Sequence, residues 1–231
     1  MVRAEGGLRG RPPRTLLDEA LTRYLAAAVS SGRVVLAAAR AGASNGVGPN
    51  LRHLFETLVD LHFLVTEADP GEAAARSLAW DALEWERHSQ LDVEVLAAMG
   101  LPQPPRKSAA AAIAANCASL RERGDEASAA HVEREYEALA SRPLPRHWSG
   151  LSRAAMIDEI EQRDAGLRAL YRSQFAWESY NTHASPRWMR PTTGGDDSEA
   201  LRVRRARMLL GRIRSLIGAY EAGLVAGKAA T

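Results

Sequence analysis

At 231 residues the chain can bury a substantial core, as one large domain or two small ones. Its formal net charge of +2 and isoelectric point near 8.9 do not support a nucleic-acid surface, which needs a concentrated basic face. A single cysteine, Cys117, excludes an internal disulfide and an all-thiolate zinc site and fits a reducing cytoplasm.

No apolar run follows Met1 as in a secretory leader, and no stretch approaches the roughly 18 apolar residues of a membrane span. A soluble, cytoplasmic protein is the expectation. Arginine supplies 28 of the 30 basic residues (30 minus Lys107 and Lys228), which beside the many alanines reads as coding bias rather than a built arginine surface.

Residues 1–12 carry no periodicity and read as a disordered tail. Thr15 followed by Asp18 marks a helix start. Leu16, Leu17, Leu21, Tyr24, Leu25 and Val29 then keep helical spacing, with a kink expected at Ser31-Gly32 before the helix ends near Arg40. Turn residues from Gly42 to Asn50 form a loop, with Asn50 as cap of a second, strongly apolar helix that runs to Val65.

Asp69-Pro70-Gly71-Glu72 opens a third helix that Gly100 closes. After the stiff Leu101–Pro105 connector, residues 107–140 form a polar, alanine-rich helical stretch broken at Gly124-Asp125. Pro143–Gly150 is a second rigid loop in which Trp148 reads as a packing anchor. Helices over 152–163 and 166–184, a loop over 184–197 and a last helix from about Ser198 to Leu224 complete the chain. With no convincing strand, the sequence predicts an all-α, single-domain helical bundle of about seven helices over residues 13–227.

The candidate functional residues are charges placed on apolar faces. Arg52 and Glu56 lie about 40° apart on the second helix, between Phe55, Val59 and Phe63. On the third helix Glu84 falls inside an arc with Ala73, Trp80, Leu91, Val95 and Ala98, with His88 one turn on. Glu178 and Asn181 share a face with Leu167 and Tyr171, beside Arg172, Ser179 and His183. Carboxylates and imidazoles that project into a bundle build metal or acid–base sites, and they also satisfy buried arginines. Both readings stay open for Arg52–Glu56. Glu84, His88 and His183 are the candidate metal ligands. His62 reads as a packed histidine, and the six arginines between Arg202 and Arg214 scatter around their helix as a solvated face.

Several chemistries lack their motif. Gly42–Gly48 has no terminal Lys-Ser/Thr for a phosphate loop, and no Gly-x-Ser-x-Gly or His-Glu-x-x-His occurs. Glu84 and His88 are spaced Glu-x-x-x-His, not the Glu-x-x-His of di-iron bundles. An Arg–His pairing of the toxin-ribonuclease type occurs only as Arg142 to His147, across Pro143 and Pro145, where no helix forms. No cofactor-binding pattern is present.

In order along the chain stand Arg52-x-x-x-Glu56, Asp69-Pro70, His147-Trp-Ser-Gly-Leu-Ser152, and Tyr171 leading to His183-x-Ser185. This order resembles a bacterial all-helical family known only as a domain of unknown function, number 5677, over residues 45–200. The resemblance implies a helical domain in which Arg52, Glu56, Tyr171 and His183 converge, and it implies no reaction.

Two functional expectations follow. One is an interaction or regulatory module, of the kind found in stress or phage-defence systems, with homo-oligomers allowed. The other is a ligand- or metal-binding protein or enzyme using a cluster of Arg52, Glu56, Glu84, His88 and His183.

Overall fold

The computed structural model describes residues 15–41, 47–67, 69–162, 166–172 and 195–229, with side chains in the last segment at residues 200 and 203–222. Among the described residues every regular element is a helix.

Local rules place most of the helix ends. Thr15 Oγ1 accepts the Asp18 backbone N–H at 3.1 Å and Asp18 Oδ2 accepts that of Thr15 at 3.0 Å, a reciprocal cap for α1 (Leu16–Arg40). α1 runs through Ser31-Gly32 without a break in the helix. Gly32 serves close packing instead: a Cβ at this position would lie 3.0 Å from Leu210 Cδ1. The bare backbone lets the last helix approach.

α2 (Val47–Thr66) starts three residues before Asn50, the expected cap. Pro49 is tolerated because it falls in the first turn, where a backbone N–H has no intrahelical partner anyway.

α3 (Pro70–Ala98) begins as its sequence predicts. Asp69 accepts the Glu72 N–H at 2.9 Å, Pro70 occupies the first turn, and Gly100 at φ +69° ends the helix. The alanine-rich stretch breaks where expected, at Gly124 (φ +78°) and Asp125. It forms α4 (Ala109–Glu122), capped by Ser108, and α5 (Glu126–Ala140), capped by Asp125. α6 (Arg153–Glu161) and α7 (described over 167–172) follow, and α8 (Gly195–Ala229) closes the fold.

Contacts divide the chain into two compact units. One holds Leu21–Thr66 and the described residues from Arg153 onward. Its centre is α2, which packs on α8 and α6. Leu51, Leu54, Phe55, Leu58, Val59, Leu61 and Leu64 are all buried, so apolar side chains take up most of the α2 circumference.

The other unit holds Glu67–Ser152 and the described residues up to Ala20. Within it α3, α4 and α5 pack on one another. α3 buries mostly small side chains there, Ala73, Ala74, Ala75, Ala79 and Ala82 beside Leu78 and Val93. Arg76 ties α3 to α5 through Glu135 at 3.1 Å, and Arg121 ties α4 to α5 through Glu133 at 2.8 Å.

Candidate functional site

On α2, Arg52 Nε donates to Glu56 Oε1 at 2.9 Å, one helical turn away. The side chains are 37% and 26% exposed, so the pair sits at the margin of the apolar face rather than inside it. That corrects the expectation of an inward pair. Long side chains lay their methylenes over apolar neighbours while the charged heads reach water.

One turn further along, Asp60 pairs with Arg153 of α6, and here both side chains are more enclosed, at 13% and 20%. This ion pair links the two helices. Phe55 and Tyr171 stack with ring centroids 5.9 Å apart and planes 30° apart. Tyr171 is thereby brought against the helix that carries Arg52 and Glu56. His183, Glu178, Asn181 and Ser179 lie outside the described residues.

Glu84 and His88 belong to the other compact unit. Glu84 Oε1 lies 3.2 Å from His88 Nε2 and Oε2 lies 3.6 Å from Arg87, with His88 63% exposed. The arrangement is a surface network along one helix. Among the described residues no group of three His, Cys, Asp or Glu side chains is arranged to hold a metal ion.

The arc expected to carry Glu84 inward holds in its first half only: Ala73 is buried, Trp80 is half-buried, and the Glu84 side chain is 22% exposed. Further along, Leu91 and Val95 are exposed, while Ala82, Ser89 and Val93 on another side of α3 are buried.

The loop before α6 is tightly organised. Trp80 Nε1 donates to the Pro145 carbonyl at 2.8 Å, Trp148 is buried, and the His147 ring lies 6.1 Å from that of Trp80 and 5.1 Å from that of Trp148. His147 Nδ1 accepts the Ser149 backbone N–H at 3.2 Å and lies 2.8 Å from Ser149 Oγ, which accepts the Leu151 N–H at 3.2 Å. These bonds join residues two apart and close the turn at Gly150 (φ +74°). The serine and histidine are used up in shaping the loop.

Two further groups were missed from sequence. Glu161 accepts the backbone N–H groups of Arg168 at 2.6 Å and Gly166 at 2.9 Å, and these bonds hold its carboxyl below the usual glutamate range. Its only sequence signal is a carboxylate just ahead of a helix start. Cys117 is buried, with Sγ donating to the Ala129 carbonyl at 3.6 Å, and burial pushes its thiol up, the opposite of an activated nucleophile.

These features define an all-α protein whose described polar side chains pair along helix margins and in turns. The chain belongs to the family of unknown function DUF5677, whose model matches residues 18–200. Comparison with curated proteins and with solved structures gives no match. Among the described residues no helix is long and apolar enough to cross a membrane.

Proposed function

We propose that this chain is a protein–protein interaction module whose contact surface is the second half of α3. The observation that carries this reading is the stripe formed by Leu91, Val95 and Met99, which follow one another at four-residue steps, about 40° apart. Val95 is 57% and Met99 65% exposed, Leu101 follows just past the helix end, and Trp85 is exposed on a neighbouring face of the same helix.

Lone exposed apolar residues are ordinary, whereas a contiguous row on a regular helix marks an interaction surface. On that neighbouring face Lys107 Nζ sits 3.6 Å from the centre of the Trp85 ring.

A photo-crosslinking residue in place of Val95, activated in living cells, tests the reading. Adducts of defined mass are expected. The same chain recovered without any adduct, while a fold check shows it native, would remove the proposal.

A second reading is favoured by the Phe55–Tyr171 stack, which brings a phenol to the helix of Arg52 and Glu56. There a small anionic ligand would be held by the Arg52 guanidinium, with Glu56 orienting it. Phosphate or a dicarboxylate should raise the melting temperature of the wild type and leave R52A unmoved. Equal shifts in both proteins would end this reading.

A further inference from the structure

Resting on the interaction reading, we infer that the partner is a second copy of this chain, and that the α3 stripe of one copy seats on the outward face of α8 of the other. Two observations on separate helices carry this.

The first is the make-up of the α3 surface. Around its large side chains stand three carboxylates, Glu84, Asp92 and Glu94. Glu84 is paired to Arg87 at 3.6 Å and to His88 at 3.2 Å, and the Lys107 ammonium lies over the Trp85 ring. Asp92 and Glu94 are therefore the acidic groups this surface offers.

The second is the opposite character of α8. Gly211, Ser215, Gly218 and Ala222 recur at steps of four, three and four residues, so they line one side of the helix, and all are exposed. Among the described residues, a Cβ at Gly211 or at Gly218 would meet nothing within 4 Å. Among the described residues neither glycine makes room for a neighbour, in contrast to Gly32, which does. Glycine is the weakest helix former after proline, so two of them on an exposed helical face carry a cost that packing among the described residues does not explain. Arg204, Arg207 and Arg214 are exposed beside them, and Met208 continues the face.

The two surfaces match in shape and in charge. Leu91, Val95 and Met99 fit over a backbone floor where glycine lets another helix come close. Asp92 and Glu94 then face arginines, which steers the encounter and sets its direction. Together the exposed apolar side chains of the α3 patch offer an area on the order of 500 Å². A single such contact buries about 1,000 Å² counting both copies, the lower end for a specific interface, and a contact made twice reaches the size of a stable dimer. Two different patches meet, so the association closes into a pair or ring, or continues head to tail. α8 lies almost wholly beyond the residues matched by the family, so this half of the contact is additional to the family core.

The test is complementation between two full-length variants followed by light scattering on a sizing column. Wild type at about 100 µM and low salt should run at twice the 25.0 kDa of one chain or more, and shift toward a single chain in 1 M salt. V95E, with its α8 face intact, should be a single chain, and so should G211L/G218L, with its α3 face intact. Mixed together, the two should form a complex that neither forms alone. Leucine favours helix, so G211L/G218L is expected to fold, and circular dichroism confirms that for both variants before mixing.

A wild type that stays a single chain at every concentration overturns the inference, as does a mixture that stays monomeric or assembly that persists in V95E. If any of these occurs while the Val95 crosslink in cells joins a different protein, the self-association fails and the interaction reading stands. If Val95 gives no adduct at all, that reading has failed as well.

Discussion

The Arg52–Glu56 pair has an energy that its exposure sets. The two charges lie one turn apart with a 2.9 Å hydrogen bond, yet both side chains keep a quarter or more of their surface in water. Ion pairs of this kind on a helix contribute about 0.3–0.5 kcal/mol, and arginine ahead of glutamate is the less favourable order. A pair sealed in the core would behave differently, because removing one partner strands the other and costs about 3–5 kcal/mol. A double-mutant cycle of R52A, E56A and the combined variant, measured by urea unfolding, separates the two cases. The coupling should be no more than about 0.5 kcal/mol, and should shrink in 1 M salt. A coupling above about 2 kcal/mol, or a loss of 3 kcal/mol from either single change, would refute the marginal placement. Asp60 and Arg153 serve as the internal comparison. They are less exposed and join two helices, so D60A should cost more than E56A, about 1–3 kcal/mol.

Three other outcomes follow from the packing and hydrogen bonding. Trp148→Ala should cost about 3–5 kcal/mol in the same urea assay, because a side chain only 2% exposed is removed from the loop core. Gly32→Leu should destabilise by about 1–3 kcal/mol, since even a Cβ there comes within 3.0 Å of Leu210, and unchanged stability would mean that α1 and α8 do not approach closely. Glu161 gives a pH dependence whose sign is fixed. Backbone N–H groups of Arg168 and Gly166 depress its folded-state carboxyl value, so its stabilisation is present above the unfolded value of about 4.3 and disappears as pH falls through the folded one. Unfolding midpoints measured across acid pH should show a shallower loss in E161Q than in wild type, and parallel curves would contradict the assignment.

Features governed by neighbouring residues could be read from the sequence. Thr15 with Asp18, Asp69 with Pro70, and Gly124 with Asp125 each set a helix end through bonds within three or four positions. Features governed by distant residues could not. Ser31-Gly32 looks like a helix breaker until Leu210 is placed beside it.

The α3 arc shows the same limit in its functional form. Helical periodicity identifies that Leu91, Val95 and Met99 share a side, but not that the side with Ala82, Ser89 and Val93 is the buried one there. Reading apolar as inward therefore held for Ala73 and failed for Leu91 and Val95, and it left His88 exposed. Arg52 and Glu56 were correctly placed on α2, but side-chain length let their heads reach water. Tyr171 was reached through the order of motifs rather than by spacing, and it stacks on Phe55.

The central claim, that the α3 stripe is a contact surface, is most directly tested by thiol labelling of V95C. Cys117 is buried with its thiol pushed up, so the introduced cysteine is the one that reacts quickly. Dilute purified V95C should label rapidly, and the same protein inside cells should be protected until the cells are lysed and diluted. Equally rapid labelling in cells and in dilute solution would contradict the claim.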